Sequence, residues 1–197
     1  MITNFRALIF YINADLYRYM TSTSIKAFCR AWFIPGFRYS FFLRCCNFMG
    51  KKKFLFPIYF LNRIFLRHYS FKYGFQIHHT TKIGPGLYIG HFGEIIINPN
   101  SILGKNINIG PGLLIGHGFN KTLNRFEYPT IGNYVSISNS AKIFGGVSIG
   151  DNAVIGISTV VTKDVPKNAV VIGIPGKIIS YDGSRNYVGS FHPKTLE

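Results

Sequence analysis

The sequence predicts an all-β coil of short parallel strands, a parallel β-helix, preceded by a small α-helical region. Three observations predict it. Branched aliphatic residues recur every six positions from Ile77 to about Ile179. A small residue, most often Gly, follows them. Residues 1–75 lack this period and are basic and aromatic instead.

The hexads read IHHTTK, IGPGLY and IGHFGE from Ile77, then INPNSI, LGKNIN, IGPGLL and IGHGFN from Ile97. They resume at Ile131 as IGNYVS, ISNSAK, IFGGVS, IGDNAV, IGISTV and VTKDVP. A period of six fits neither an amphipathic helix nor an alternating strand, and self-similarity at a fixed period marks a solenoid. Each hexad supplies one flat side and one corner. Its first residue points inward onto its equivalents above and below, and the small second residue lets the backbone turn. No hexad buries its apolar position alone; the stack does so.

Within residues 1–75, apolar spacing predicts a helix over Ile2 to Tyr19. Ser24 is placed to cap a second helix that runs through Ala31 and ends at Pro35-Gly36. Further helical stretches are expected over Phe37 to Met49 and, after the basic turn Lys51-Lys52-Lys53, over Phe54 to Tyr69. The apolar run Phe54 to Leu66 is only 13 residues long and contains Pro57 and Arg63. That is too short for a span, which needs about 20 apolar residues.

Charge and aromatic content are concentrated in this first third. It holds 12 of the 22 Lys and Arg, 22 of the 32 Phe, Trp and Tyr, and a single acid, Asp15. Two readings follow: aromatics packed on the coil and on partner subunits, or a surface that lies on an anionic leaflet. Nucleic acid is set aside, because no recognised binding module accompanies the charge. Cys29, Cys45 and Cys46 show no metal spacing and read as reduced thiols of a cytoplasmic protein, and no cleavable leader pattern opens the sequence.

The repeat is interrupted twice. Between Ile89 and Ile97 the period slips by two residues directly after His91, and residues 118–130 (GFNKTLNRFEYPT) leave the repeat. Thr162 to Pro166 ends the regular coil, and the residues from 181 read as a flexible tail. The domain reading is therefore a helical region over 1–75, the coil over 76–180 with its excursion at 118–130, and a tail over 181–197.

Three stretches carry a resemblance to a known family: GLYIGHFGEIIIN (Gly86 to Asn98), EYPTIGNYV (Glu127 to Val135) and VVTKDVPKNAVVIGIPGKII (Val160 to Ile179). With them the chain resembles the left-handed β-helix acyltransferases with hexapeptide repeats, in the serine-acetyltransferase-like branch. The resemblance implies a homotrimer, or a dimer of trimers, using acetyl-coenzyme A without a metal. It implies that His91 is the general base, since imidazole is neutral near pH 7 and can take a proton from an acceptor hydroxyl. It places the acceptor near Gln76, Glu94, His117 and Tyr128, and coenzyme A near Asn139, Gly156, Ile157, Thr162, Lys163 and Lys177. A zinc site lacks its ligand spacing.

The acceptor is where the pattern departs. Serine acetyltransferases place acids where Gln76 and Gly90 stand and a histidine where Tyr128 stands. Loss of two negative charges argues against an ammonium-bearing acceptor and for a sugar hydroxyl. The expectation is thus a cytoplasmic O-acetyltransferase of a bacterial surface glycan, with some peripheral membrane contact. Serine acetylation and a non-catalytic trimeric scaffold are its rivals.

Overall fold

The computed structural model describes residues 2–195. The expected left-handed parallel β-helix forms from about Phe75 onward and has three faces. The first face stacks Phe75–Ile77, Ile95–Ile97, Leu113–Gly116, Lys142–Phe144 and Val160–Val161. The second stacks Lys82–Ile83, Ile102–Leu103, Thr130–Ile131 and Ser148–Ile149. The third stacks Tyr88–Ile89, Asn108–Ile109, Ser136–Ile137, Val154–Ile155 and Val170–Ile172.

Pairing between turns is parallel and in register, so the hexad leaders form columns. One column runs Ile77, Ile97, Ile115, Ile143, Val161. A second runs Ile83, Leu103, Ile131, Ile149, Val165. The third runs Ile89, Ile109, Ile137, Ile155, Val171. None of these fifteen side chains is more than 7% exposed. At roughly 1.5–3 kcal/mol for each fully buried aliphatic side chain, the columns are a large favourable term. Where a glycine follows a leader, the next turn can require it: a Cβ on Gly104 would lie 2.5 Å from the carbonyl oxygen of Gly132.

The helices are α1 (Phe5–Met20), α2 (Ile25–Ala31), α3 (Pro35–Met49) and α4 (Phe56–Tyr73), with 3-10 turns at Lys53–Leu55 and Pro193–Thr195. Ser24 caps α2 as expected, its side chain accepting from the Ala27 N–H. Pro35 differs from the expectation: it opens α3 rather than ending α2, because its fixed φ suits a first helical position. The last helix runs on to Tyr73, where Gly74 in left-handed backbone stops it.

The first turn of the coil has no turn above it, so its backbone groups need other partners. Helices α1 and α3 supply them. The Asp15 carboxylate accepts from the Gly86 and Leu87 N–H groups, both at 2.9 Å, and from Arg44 Nε at 2.9 Å. Arg44 also donates to the carbonyls of Ile83 and Gly84, each at 2.7 Å. Tyr39 donates to the Ile77 carbonyl at 3.0 Å. The sole acid of the first 75 residues is therefore buried, and it fastens the helices to the coil.

Helix α4 faces the coil with Tyr59, Arg63, Leu66, Ser70 and Tyr73. Arg63 donates to His79 Nδ1 at 3.0 Å, which leaves the proton on Nε2, 3.1 Å from the Tyr59 hydroxyl. At the far end of the coil, Lys177–Ser180 adds an antiparallel strand to the third face. Residues 181–195, read from sequence as a flexible tail, lie back along the coil. Ser184, Val188 and Thr195 are buried there, Asn106 donates to Thr195 Oγ1 at 2.9 Å, and Asn108 donates to the Tyr187 carbonyl at 2.7 Å.

Two outcomes follow. Asp15→Ala strands two N–H groups and the Arg44 guanidinium, so urea unfolding should show a loss of about 3–5 kcal/mol; a loss under about 1 kcal/mol would contradict the fastening role. For His79, burial first and the Arg63 charge second push the pKa down to about 4. The folded state thus binds this proton less readily than the unfolded chain, whose value is 6.5. Stability is full above pH 6.5 and falls as pH drops towards 4, by up to about 3 kcal/mol relative to a His79→Gln variant. Parallel stability curves for the two proteins would refute the assignment.

Candidate active site

The two interruptions of the repeat shape the surface because the columns cannot absorb extra residues. From the third face back to the first, an ordinary corner takes three residues, Gly110 to Gly112, between Ile109 and Leu113. Ile89 pairs with Ile109 and Ile95 with Leu113, so Gly90 to Glu94 spans the same corner with five. The two extra residues bulge outward and carry His91 and Phe92 into solvent, Phe92 being 70% exposed. Gly93 anchors the bulge: its N–H donates to the Tyr73 carbonyl at 2.9 Å, and a Cβ at its φ of +139° would lie 2.9 Å from the Pro111 Cβ.

His91 heads an edge of the coil that continues through Pro111, Asn139 and Ile157, each on the corner of the following turn. Asn139 and Ile157 are exposed, and the Asn139 carbonyl accepts from the Ser158 N–H at 2.9 Å. At about 4.8 Å per turn, His91 and the Gly156-Ile157 corner are on the order of 14 Å apart along this edge.

The other expected residues lie elsewhere. His117 stands where the first face leaves for the second, on the edge that later carries Thr162 and Lys163. Its ring meets Phe126 edge-on at 4.8 Å, lies 6.2 Å from Tyr128, and has Nδ1 3.2 Å from Asn98 Nδ2. The excursion is a β-hairpin pairing Gly118–Asn120 with Arg125–Glu127. Asn120 and Arg125 hold the Glu127 carboxyl below its ordinary range. His91 and His117 sit at opposite ends of the first face, a strand's length of roughly 13 Å apart. Lys177 begins the antiparallel end strand, exposed and paired with Ile172.

Gln76 and Glu94 do come together. They line a groove of about 700 Å³ between α4 and the first face, with Arg63, Arg67, His78 and Ile96. Sequence reading missed the two arginines. Their four-residue spacing on one helix was visible, but not that this helix lies across the coil beside Glu94. The groove therefore presents one carboxylate and two guanidiniums, three residues along the chain from His91. Cys45 and Cys46 are buried in α3, where burial pushes both thiols up to about 12. Among the described residues no cluster of His, Cys, Asp and Glu is arranged to hold a metal ion.

No protein-family model matches the chain. A serine acetyltransferase of Bacillus pumilus is 34% identical over 128 residues, 65% of this chain and 58% of that protein. The crystal structure of Neisseria gonorrhoeae serine acetyltransferase in complex with serine superposes with a TM-score of 0.70 at 26% identity, covering 89% of this chain and 70% of that one. A Brucella abortus serine acetyltransferase in complex with coenzyme A shares the fold, with a TM-score of 0.68 at 21% identity, over 87% of this chain and 66% of that one. The chain is similar to serine acetyltransferases in sequence and in fold. It spans about half the length of the curated relatives it matches.

These likenesses overturn the expectation of a surface-glycan acceptor. Relatives at 34–37% identity are serine acetyltransferases, and so are the structural neighbours. Gln76 and Gly90 do remove two acids from the family pattern. Glu94, already expected near the acceptor, lines the same groove as Gln76 and supplies a carboxylate there.

Proposed function

We propose that the protein transfers acetyl from acetyl-coenzyme A to the hydroxyl of serine, with His91 as general base. The observation that carries this reading is the groove that holds Glu94, three residues along the chain from His91, because its charges match a zwitterion. The Glu94 carboxylate suits an ammonium, and Arg63 and Arg67 suit a carboxylate through guanidinium hydrogen bonds. Coenzyme A bound to a protein of the same fold supports the donor, and serine bound to another supports the acceptor.

In this reading His91 takes the proton of the serine hydroxyl as its oxygen attacks the thioester carbonyl. The tetrahedral oxyanion collapses, and the imidazolium returns the proton to the departing thiolate. The products are O-acetylserine and coenzyme A. The chemistry calls for no enzyme nucleophile, in keeping with Cys45 and Cys46, whose raised pKa values keep them protonated.

Donor contacts divide between two edges of the coil: Asn139, Gly156 and Ile157 share the His91 edge, while Thr162 and Lys163 share the His117 edge. A threefold assembly that sets one edge against the other edge of the next chain would unite them, so the site is proposed to be complete only between subunits. Lys163 and Lys177 then supply cations for the phosphates of coenzyme A.

Thiol release from acetyl-coenzyme A should depend on serine and not occur with glycine, which has the charges but no hydroxyl. In Glu94→Gln the serine KM should rise by about tenfold or more, as expected for a lost charged hydrogen bond, with the acetyl-coenzyme A KM unchanged. Thiol release indifferent to serine would refute the acceptor assignment.

A further inference from the structure

The helical third presents a surface for which the proposed chemistry has no use. Helix α4 turns its Tyr59, Arg63, Leu66, Tyr73 stripe to the coil, with Leu66 and Tyr73 buried, and its opposite side points away. That opposite side carries Phe60, Leu61 and Ile64, exposed by 58%, 53% and 51%. The turn before the helix adds Phe54 at 78% and Phe56 at 61%. Exposed apolar side chains grouped in this way mark an interaction surface.

Cations frame the patch. Lys51, Lys53 and Lys72 are exposed, and Lys52 Nζ lies 4.9 Å over the Phe48 ring. Opposing them is nothing. From residue 1 to residue 93 the sequence has one acid, Asp15, and that acid is buried against Arg44.

This charge pattern selects the occupant. A second copy meeting the patch across a twofold axis would set Lys51, Lys53 and Lys72 against their own equivalents, with no acid on either side to offset them. A soluble acidic peptide would match the cations and leave the phenylalanines in water. An anionic bilayer matches both, since its headgroups take the cations and its interfacial zone takes aromatic and aliphatic side chains. We propose that α4 and the turn preceding it lie flat on an anionic lipid surface. Among the described residues no helix is long and apolar enough to cross a membrane, so the contact is peripheral. An 18-residue helix offers about 27 Å of length for it.

The test is co-sedimentation of the full chain with vesicles of phosphatidylcholine alone, or with a third of that lipid replaced by phosphatidylglycerol. Partitioning should be at least about tenfold stronger on the anionic vesicles and should weaken with salt. Two variants, Lys51→Glu/Lys53→Glu and Phe60→Ser/Ile64→Ser, should each lose about tenfold or more of it. Both should keep the sedimentation coefficient of the parent in the absence of lipid. Equal recovery on the two vesicle types would overturn the proposal. So would a Phe60→Ser/Ile64→Ser protein that still binds vesicles but changes its oligomeric state, since the patch would then be a contact between copies.

Discussion

Parallel stacking in register is the constraint on which everything else in this molecule rests. Each inward Ile or Val must lie on its equivalent in the turns above and below, so a turn that gains residues cannot pass them to its neighbours. It can only push them out at a corner. The coil does this twice, with five residues at Gly90 to Glu94 and with the hairpin that follows His117. The columns therefore do more than bury apolar surface, because they force the irregular segments, with their polar side chains, onto the edges.

A solenoid also has ends, and its ends expose unpaired backbone. Here the first turn is closed by α1 and α3 through Asp15, Arg44 and Tyr39, and the last by an antiparallel strand. Closing the first turn brings α4 down alongside the first face, which makes the groove of Arg63, Arg67, Gln76 and Glu94. The groove is thus a by-product of how the coil is capped. One buried acid satisfies the interior, and the rest of the helical surface is left positive.

What was legible in the sequence follows the same division. The period of six, the slip after His91 and the excursion at 118–130 were legible because stacking writes them at fixed spacing along the chain. The helices were legible to within a few residues; Pro35 and Gly74 set the boundaries that were misread. The groove was not legible, since Arg63 and Glu94 meet through a packing of distant segments that no local pattern encodes. The acceptor was misread for that reason: two neutral residues at expected acidic positions were weighed without setting Glu94 against them and without the guanidiniums that α4 supplies. The packing of Ser184, Val188 and Thr195 against the coil was hidden in the same way, behind a polar and glycine-containing composition.

The proposed acetyl transfer stands on the imidazole that the five-residue corner holds clear of the coil. Its most direct test is the turnover of a His91→Asn protein with acetyl-coenzyme A and serine, measured beside its thermal unfolding. Loss of a general base should lower kcat by about a hundredfold or more, while the unfolding midpoint stays with the parent because the ring is exposed. Turnover within a few-fold of the parent would contradict the account.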